Sequence, residues 1–524
     1  MPDMPPFRPR ARQNAGAKQD SPVRRFRFPN SLAAVLTATA ALLAPAVAQG
    51  GSRQNGPATP TASVIQTTAT LSNALTAQAP LPFVRRPARG AKVIQVDPSV
   101  RYQRIIGFGA AMTDSSAWLL ERELTPQQQA STMQSLFTPA GINLNFVRIP
   151  MGASDYVADV TPYSYDDLPA GAVDPELLDF SIGHDEPYIL PALRAMLADN
   201  RRIFTLANPW SAPPWMKANQ SFNNVGLLGN VLPRYYPALA RYFVKFIQAY
   251  QAAGVPIDAI TPMNEPDSGS GWPGTHLTPT DDATFIPKYL EPALLRARLA
   301  PGIYGPDNAR FGQARALMSG PERDDISGAA FHCYSGMGFL SRFHAKYPFA
   351  PILLSECSPG IIPYATAEVP IDATRNWASG VQLWNLALDP SGGPVESNFS
   401  YGCPGCTGVV TVDEQTQSTI YNLNYYEFGQ TSKYVQPGAV RIYSNRFVHD
   451  IGHRKGVTHG LDDVAFRNPD GSTVLVAYNS GVSPTAFSVR YHGRYLNWTL
   501  APSATVTLVW GEPSGGERRS LRRP

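Results

Sequence analysis

Ile257-Asp258-Ala259-Ile260-Thr261-Pro262-Met263-Asn264-Glu265-Pro266 is the stretch on which the fold turns. An apolar run that reads as a buried strand ends there in a glutamate, and Pro266, which has no N–H to give, closes the pairing. A second run, Pro351-Ile352-Leu353-Leu354-Ser355-Glu356-Cys357, ends the same way. A carboxylate at the mouth of a buried strand is costly unless it is paired or engaged in chemistry. Glu265 and Glu356 are 91 positions apart, about three βα units of roughly 30 residues each. In a barrel of parallel strands, that spacing places them on strands 4 and 7. They would then face each other across the C-terminal mouth, where such barrels carry their active sites.

The flanking sequence fits that reading. From Ile105 to about Asn385, short apolar runs alternate with helical patterns, the mark of repeated βα units. Strands are predicted to start near Ile105, Leu144, Ile203, Ala259, Gly302, Ala329, Ile352 and Val381. Ahead of Glu265, Leu239, Phe243, Phe246, Ile247 and Tyr250 form one helical stripe, and Gly254 supplies its stop. After about Val435 the period shortens. Val464-Ala465-Phe466, the turn Asn468-Pro469-Asp470-Gly471 and Thr473 to Tyr478 read as strand, turn, strand, with further strands at Phe487–Tyr491 and Thr505–Trp510.

The predicted class is α/β: a (β/α)8 barrel over 104–434 with a side β-sandwich over 435–512. The strand or strands of 89–103 are expected to join the sandwich, so that both chain ends flank the barrel. Residues 49–88, rich in Ala, Thr, Pro, Gln and Ser, read as a linker, and 513–524 as a disordered basic tail.

The net charge of +4 is carried by the ends: the first 30 residues and the tail from Gly511 hold the excess of Lys and Arg, leaving a body of about −3. That balance gives no case for nucleic-acid binding. Fifty prolines in 524 residues, about twice the usual share of about 5%, point to long, stiff loops. Arg24, Arg25 and Arg27 precede an alanine-rich apolar core from Leu32 to Leu43 and the small-residue site Ala46-Val47-Ala48. This is the layout of an export signal over 1–48, and Arg24-Arg25 is compatible with a twin-arginine type. The apolar core is short for a membrane span of about 20 residues. The mature protein is therefore expected to be secreted or periplasmic. Of four cysteines, Cys403 and Cys406 form Cys-Pro-Gly-Cys. That spacing allows a half zinc site, a redox pair or a tight disulfide, and export favours the disulfide. Cys333 and Cys357 each end a strand candidate and read as buried thiols.

Two facing carboxylates are what glycoside hydrolysis uses, one as acid/base and one as nucleophile. Asn264 stands where it would donate to a sugar 2-hydroxyl, and Pro266 leaves Glu265 on the rim. Trp210 and Trp215, in Asn208-Pro209-Trp210-Ser211-Ala212-Pro213-Pro214-Trp215-Met216-Lys217, and Trp384, in Leu383-Trp384-Asn385, lie at predicted strand ends, where indole rings stack on the C–H faces of sugars. A role in the core is the alternative for each, most of all for Trp215. Gly107-Phe108-Gly109-Ala110-Ala111-Met112-Thr113-Asp114 is not a dinucleotide loop, because Met112 stands where a third glycine is needed. Asp114 is read as a ligand for sugar hydroxyls. His332, in Phe331-His332-Cys333-Tyr334, has no partners at metal-ligand spacing.

Taken together, these segments resemble glycoside hydrolase family 30, the glucosylceramidase family, from about Tyr102 to Trp510. The resemblance rests on Gly107-Phe108-Gly109 through Asp114, Arg148-Ile149-Pro150-Met151-Gly152, Phe180-Ser181-Ile182, Pro209-Trp210-Ser211, Trp215-Met216-Lys217, Asn264-Glu265-Pro266 and Trp384-Asn385-Leu386-Ala387-Leu388. It implies retention of anomeric configuration, with Glu265 as acid/base and Glu356 as nucleophile. It also implies a glycone pocket lined by Asp114, Trp210, Asn264, His332, Tyr334, Trp384 and Asn398. No metal or cofactor is called for, and no obligate protein partner. The lysosomal members carry Trp where Cys333 stands here, and the loop Asp267 to Gly274 departs from theirs. The expectation is an exported retaining β-glycosidase of glucosylceramidase-like action on a carbohydrate or glycolipid. The alternatives are an endo-acting β-1,6-glucanase or β-1,6-galactanase, a β-xylosidase, and a non-catalytic carbohydrate-binding protein on the same fold.

Overall fold

Strands covered on both faces need near-continuous apolar runs, and eight such runs close a barrel. The computed structural model describes residues 61–159, 161–269, 271–362, 365–396, 405–447 and 460–511. The barrel strands are β1 (Gly107–Ala111), β2 (Phe146–Pro150), β3 (Phe204–Asn208), β4 (Ala259–Ile260), β5 (Gly302–Asn308), β6 (Gly328–His332), β7 (Ile352–Glu356) and β8 (Ala378–Leu383). They pair in parallel and in chain order, and β8 returns to β1. Each starts within three residues of its predicted position. β4 is the exception in length. Its ladder ends at Ile260, short of Glu265, because Pro262 carries no N–H to continue it.

The barrel is filled, not hollow. Phe146, Leu206, Ala259, Tyr304, Ala330 and Leu353, one from each of β2 to β7, form a buried layer. Two glycines make room for it. A Cβ at Gly380 would lie 2.7 Å from the Phe146 ring, and one at Gly109 would lie 1.6 Å from the Phe146 carbonyl oxygen. The helix Tyr236–Ala252 buries the predicted stripe Leu239, Phe243, Phe246, Ile247 and Tyr250 on the outside of the barrel.

The second layer is a sheet of nine strands. Its order is Arg494–Leu500, Thr485–Tyr491, Lys92–Arg104, Val440–Ser444, Leu461–Arg467, Thr473–Asn479, Ala504–Trp510, Thr61–Thr68 and Thr76–Pro82. It folds over a core that includes Val64, Ile94, Leu475, Val489 and Trp510. The two strands at one end correct the linker expectation for 49–88. Thr61–Thr68 pairs antiparallel with Ala504–Trp510 and with Thr76–Pro82. Its inward residues include Ala62 and Val64, and alanine among threonines is a weak period-2 signal, so composition hid a strand. Gln430 Nε2, on the helix Leu423–Ser432, donates to Thr67 Oγ1 at 2.8 Å, and Arg375 Nη2 pairs with Asp463 at 2.8 Å, joining barrel to sandwich.

The cysteine expectation also changes. Cys333 and Cys357 are not thiols: they are bridged, with Cα atoms 5.2 Å apart. Each sits one residue past the end of β6 or β7, and those strands are neighbours, which brings the two side chains together. Cys406 is disulfide-bonded as well; Cys403 lies outside the described residues. So do the export-signal and tail segments and Asn398. Among the described residues no helix is long and apolar enough to cross a membrane.

Gly109→Ala should lower the stability of the barrel by upward of about 3 kcal/mol, since backbone rather than a flexible side chain must move. Gly312→Ala, in the helix Phe311–Leu317 with no atom within 4 Å of the added methyl, should be neutral or stabilising by up to about 1 kcal/mol. Denaturant unfolding of the two variants checks the contrast.

Candidate active site

The site is built from Arg148 upward. This residue lies on β2, fully buried. Its Nη1 donates to Glu356 Oε2 at 2.5 Å, and its Nη2 to Asn264 Oδ1 at 2.6 Å and Asp307 Oδ2 at 3.1 Å. Asp307, on β5, also accepts from Asn208 Nδ2 (3.1 Å), Thr261 Oγ1 (2.7 Å) and Ser355 Oγ (2.5 Å), and it faces His332 Nε2 at 3.2 Å. The ring of His332, at the end of β6, turns its Nδ1 to Glu265 Oε1 at 2.9 Å, with Glu356 Oε1 at 3.5 Å. Tyr334 Oη donates to Glu356 Oε1 at 2.7 Å and lies 2.9 Å from Ser358 Oγ.

Glu265 is held where the β4 ladder no longer reaches. Its N–H donates to the Asp307 carbonyl at 3.0 Å, and Asn264 N–H to the Pro209 carbonyl at 2.8 Å. Its backbone sits at φ +39°, a region few side chains adopt without reason. The two glutamates thus enter one space from opposite strands, and one oxygen of each lies with a His332 nitrogen inside a triangle no wider than 4.8 Å.

Charge decides what that triangle is. Burial opposes a charged His332, but Glu356, Asp307 and Glu265 outweigh it and raise the ring to about 10. The imidazolium has no lone pair to give a metal ion, and Arg148 already pairs with Glu356. The donor set fits a proton held among carboxylates rather than a cation site. Burial also opposes ionisation of Asp307, yet Arg148 first, then His332 and Ser355, draw its carboxyl far below the usual range.

Above the charges stand the aromatics. Trp210 and Trp384 are both buried, with rings stacked 5.1 Å apart at 23°. Tyr156 meets Trp384 edge-on at 6.2 Å, and Trp272, half-buried, packs on the same cluster. Trp210 Nε1 is buried without a hydrogen-bond partner, which calls for a ligand. Trp215 belongs to the packing instead: its Nε1 donates to Asp166 Oδ2 at 2.9 Å.

Asp114 is held by the segment that follows β2. Its Oδ1 accepts from Ala158 N–H (2.8 Å), and its Oδ2 is engaged by Tyr163 Oη (3.1 Å), His184 Nε2 (2.9 Å) and Tyr188 Oη (2.9 Å). These contacts anchor the loop after β2 on Asp114. A second carboxylate, Asp155, stands on that loop. Asp155 is buried, and its Oδ1 has no partner. Burial, then Glu356 and Glu265, push its pKa well up, as expected of an acid close to both. The sequence carried a signal for it: Asp155 follows Arg148-Ile149-Pro150-Met151-Gly152 at a strand end, where Asp114 follows β1 in the same way.

Two domain descriptions match the chain: the glycosyl hydrolase family 30 TIM-barrel domain over residues 105–303 and the family's beta sandwich domain over 438–508. An endo-1,6-beta-D-glucanase of Trichoderma harzianum, BGN16.3, is 33% identical over 394 residues, 72% of this chain and 78% of that protein. The lysosomal acid glucosylceramidase of Mus musculus is 28% identical over 454 residues, 80% and 83% of the two chains. Among solved structures, the endo-beta1,6-glucanase BT3312 superposes with a TM-score of 0.73 at 28% identity, covering 86% of this chain and all (100%) of that one. Fold, facing carboxylates and relatives agree on the class: this is a glycoside hydrolase, an enzyme acting on carbohydrate. The chain belongs to glycosyl hydrolase family 30.

His332 makes stability depend on pH. Folding raises its pKa from 6.5 to about 10, so the protonated ring is favoured by the folded state. The contribution, several kcal/mol, is complete below about pH 6.5 and is lost as pH climbs toward about 10. Unfolding free energies across that range should fall more steeply for the wild type than for His332→Gln.

Proposed function

We propose that this enzyme is an endo-acting β-1,6-glucanase that works by double displacement with retention of anomeric configuration. The observation that carries the mechanism is the approach of Glu265 and Glu356, an oxygen of each lying within 4.8 Å of the other. That is the scale of the roughly 5–5.5 Å between carboxyl groups in retaining enzymes, and short of the roughly 6.5–9.5 Å that admits a water in inverting ones. The substrate reading rests on similarity. The 1,6-glucanase of Trichoderma harzianum is 33% identical, the lysosomal glucosylceramidase 28%. Glucosylceramidase-like action, the first expectation from sequence, therefore stands second.

In this reading Glu356 attacks the anomeric carbon, its oxygens oriented by Arg148 and Tyr334. The bond from that carbon to the departing oxygen breaks, and Glu265 gives the oxygen its proton. A glycosyl ester forms on Glu356. Glu265 then takes a proton from water, the water oxygen attacks the same carbon, and Glu356 leaves as carboxylate. The stacked pair Trp210 and Trp384 walls the place of the sugar, while Trp210 Nε1 and Asp155 meet its hydroxyls. Arg148 holds Asn264 by its carbonyl end, which leaves the amide N–H groups to the sugar 2-hydroxyl.

Glu356→Gln should abolish turnover on every substrate. Glu265→Gln should spare the first step on 2,4-dinitrophenyl β-gentiobioside, whose leaving group needs little protonation, and the glycosyl-enzyme should accumulate. Added azide, which needs no base, should restore turnover and yield the β-glycosyl azide. A β-azide from the Glu356 variant, with an α-azide from the Glu265 variant, would reverse the two roles. Against a panel of β-1,6-glucan, β-1,6-galactan, β-xyloside and glucosylceramide, the wild type should act fastest on β-1,6-glucan and release oligosaccharides early. Early release of glucose alone would mark an exo-acting enzyme, and preference for glucosylceramide would restore the second reading.

A further inference from the structure

We propose that the Cys333–Cys357 bridge is a positioning element for Glu356: it sets the reach of that carboxylate toward the sugar, so that its loss lowers turnover rather than substrate binding. The inference rests on the assignment of Glu356 as nucleophile. Its starting point is a break in the barrel. β6 and β7 pair in steady register from Ala329 with Ile352 to Phe331 with Leu354, and then shift, so that His332 meets Glu356. Ser355 is the extra residue. Its hydroxyl turns away to Asp307 Oδ1 at 2.5 Å and the Phe331 carbonyl at 3.2 Å. A bulge of this kind re-aims the side chain that follows it and ends the regular ladder.

Beyond the bulge, Cys333 N–H donates to the Glu356 carbonyl at 3.1 Å, across the two strand ends. The disulfide closes the same junction covalently. It lies next to His332 on one strand and next to Glu356 on the other. It also reaches a third strand end, because the Cys357 carbonyl accepts from Trp384 N–H at 2.8 Å. Both cysteines are fully buried, so the bridge does not serve the surface. It sits where the nucleophile, the imidazolium between the glutamates and a pocket tryptophan leave the barrel. Catalytic geometry tolerates displacements of only about 0.5 Å, and a covalent tie across a bulged strand end fixes the backbone from which Glu356 projects.

The test compares three proteins with the wild type: C333A/C357A, the filled pair C333A/C357V, and Leu475→Ala in the sandwich core as a control for lost stability. Each is assayed well below its own thermal midpoint on β-1,6-glucan and with 2-deoxy-2-fluoro-β-gentiobiosyl fluoride, which traps the nucleophile. For both cysteine pairs, kcat and the trapping rate should fall about tenfold or more while KM moves less than about threefold, and Leu475→Ala should keep wild-type kcat. Mass spectrometry of the trapped wild type should place the label on Glu356. A label elsewhere would sink the nucleophile assignment itself. A label on Glu356 with unchanged kcat in either pair would overturn the positioning role alone, as would an equal loss in Leu475→Ala. Recovery of kcat by the filled pair would reduce the bridge to packing. If neither pair folds, the bridge serves folding and the proposal falls with it.

Discussion

Arg148 is the residue on which the barrel mouth depends. A guanidinium at full burial is tolerated only when every neighbour compensates it. Here burial opposes the charge, and Asp307 and Glu356 more than restore it, raising the pKa above its ordinary value. Asp307 in turn is held by donors from Arg148, Asn208, Thr261, His332 and Ser355. The result is a floor of alternating charge that touches β2 through β7. Such networks add little net stability, but removing one member leaves a buried charge uncompensated, at about 3–5 kcal/mol. Their return is position, since neither glutamate can shift without disturbing the whole set.

The backbone shows the same priority. Glu265, Asp307 and Asn385 all sit at positive φ, near +39°, +57° and +57°, Glu265 and Asn385 on the segments that leave β4 and β8 and Asp307 at the end of β5. Non-glycine residues hold such conformations only where the surroundings over-determine them. For Glu265 the surroundings are the Asp307 carbonyl and the short β4 ladder, which frees the segment from Thr261 onward to follow the charge floor instead of the sheet. For Asn385 the constraint is Thr113 Oγ1, 3.0 Å from its Oδ1, which ties β8 back to the end of β1.

What was legible in the sequence follows from this division. A strand buried on both faces announces itself by composition, and a glutamate at its end is conspicuous because it is costly. The eight strands and both glutamates could therefore be read one segment at a time. The failures lie where the signal is relational. Asp114 and Asp155 each follow a barrel strand, and only the surroundings tell them apart, with Tyr163, His184 and Tyr188 on one and the charge of the glutamates raising the pKa of the other. Cys333 and Cys357 looked like two isolated core cysteines because each was weighed on its own strand. Adjacent strands of a parallel barrel bring equivalent positions together, and that inference was available once the strands had been counted. Thr61–Thr68 was lost for a different reason: its two large apolar residues, Val64 and Ile65, are adjacent and both buried, which breaks the alternation, and the rest are small or polar.

Substrate choice was the least legible property, and the wall beside Glu265 shows why. The segments that follow β3 and β4 are knit by main-chain bonds, Gly274 N–H to the Phe222 carbonyl at 2.9 Å and His276 N–H to the Gly229 carbonyl at 3.1 Å, and by side chains, Asn224 Nδ2 to the Ser268 carbonyl at 2.8 Å and Ala212 N–H to Thr275 Oγ1 at 2.9 Å. A buried lysine ties them: Lys217 Nζ donates to Ser211 Oγ (3.0 Å) and to the carbonyls of Phe222 (2.9 Å) and Gly274 (2.7 Å). Burial lowers its pKa to about 7, and no carboxylate answers it in these contacts. Main-chain bonds place few demands on side-chain identity, so a wall framed this way can change the groups it shows to a leaving sugar or lipid without losing its shape. Trp272 stands on that wall, packed against Trp210 and Trp384. The charge floor thus constrains residue type at every position, while the loop frame is fixed at a few side chains, Lys217, Asn224 and Thr275 among them, and leaves the rest of its positions freer. Relatives named for different substrates can therefore share the first while differing in the second.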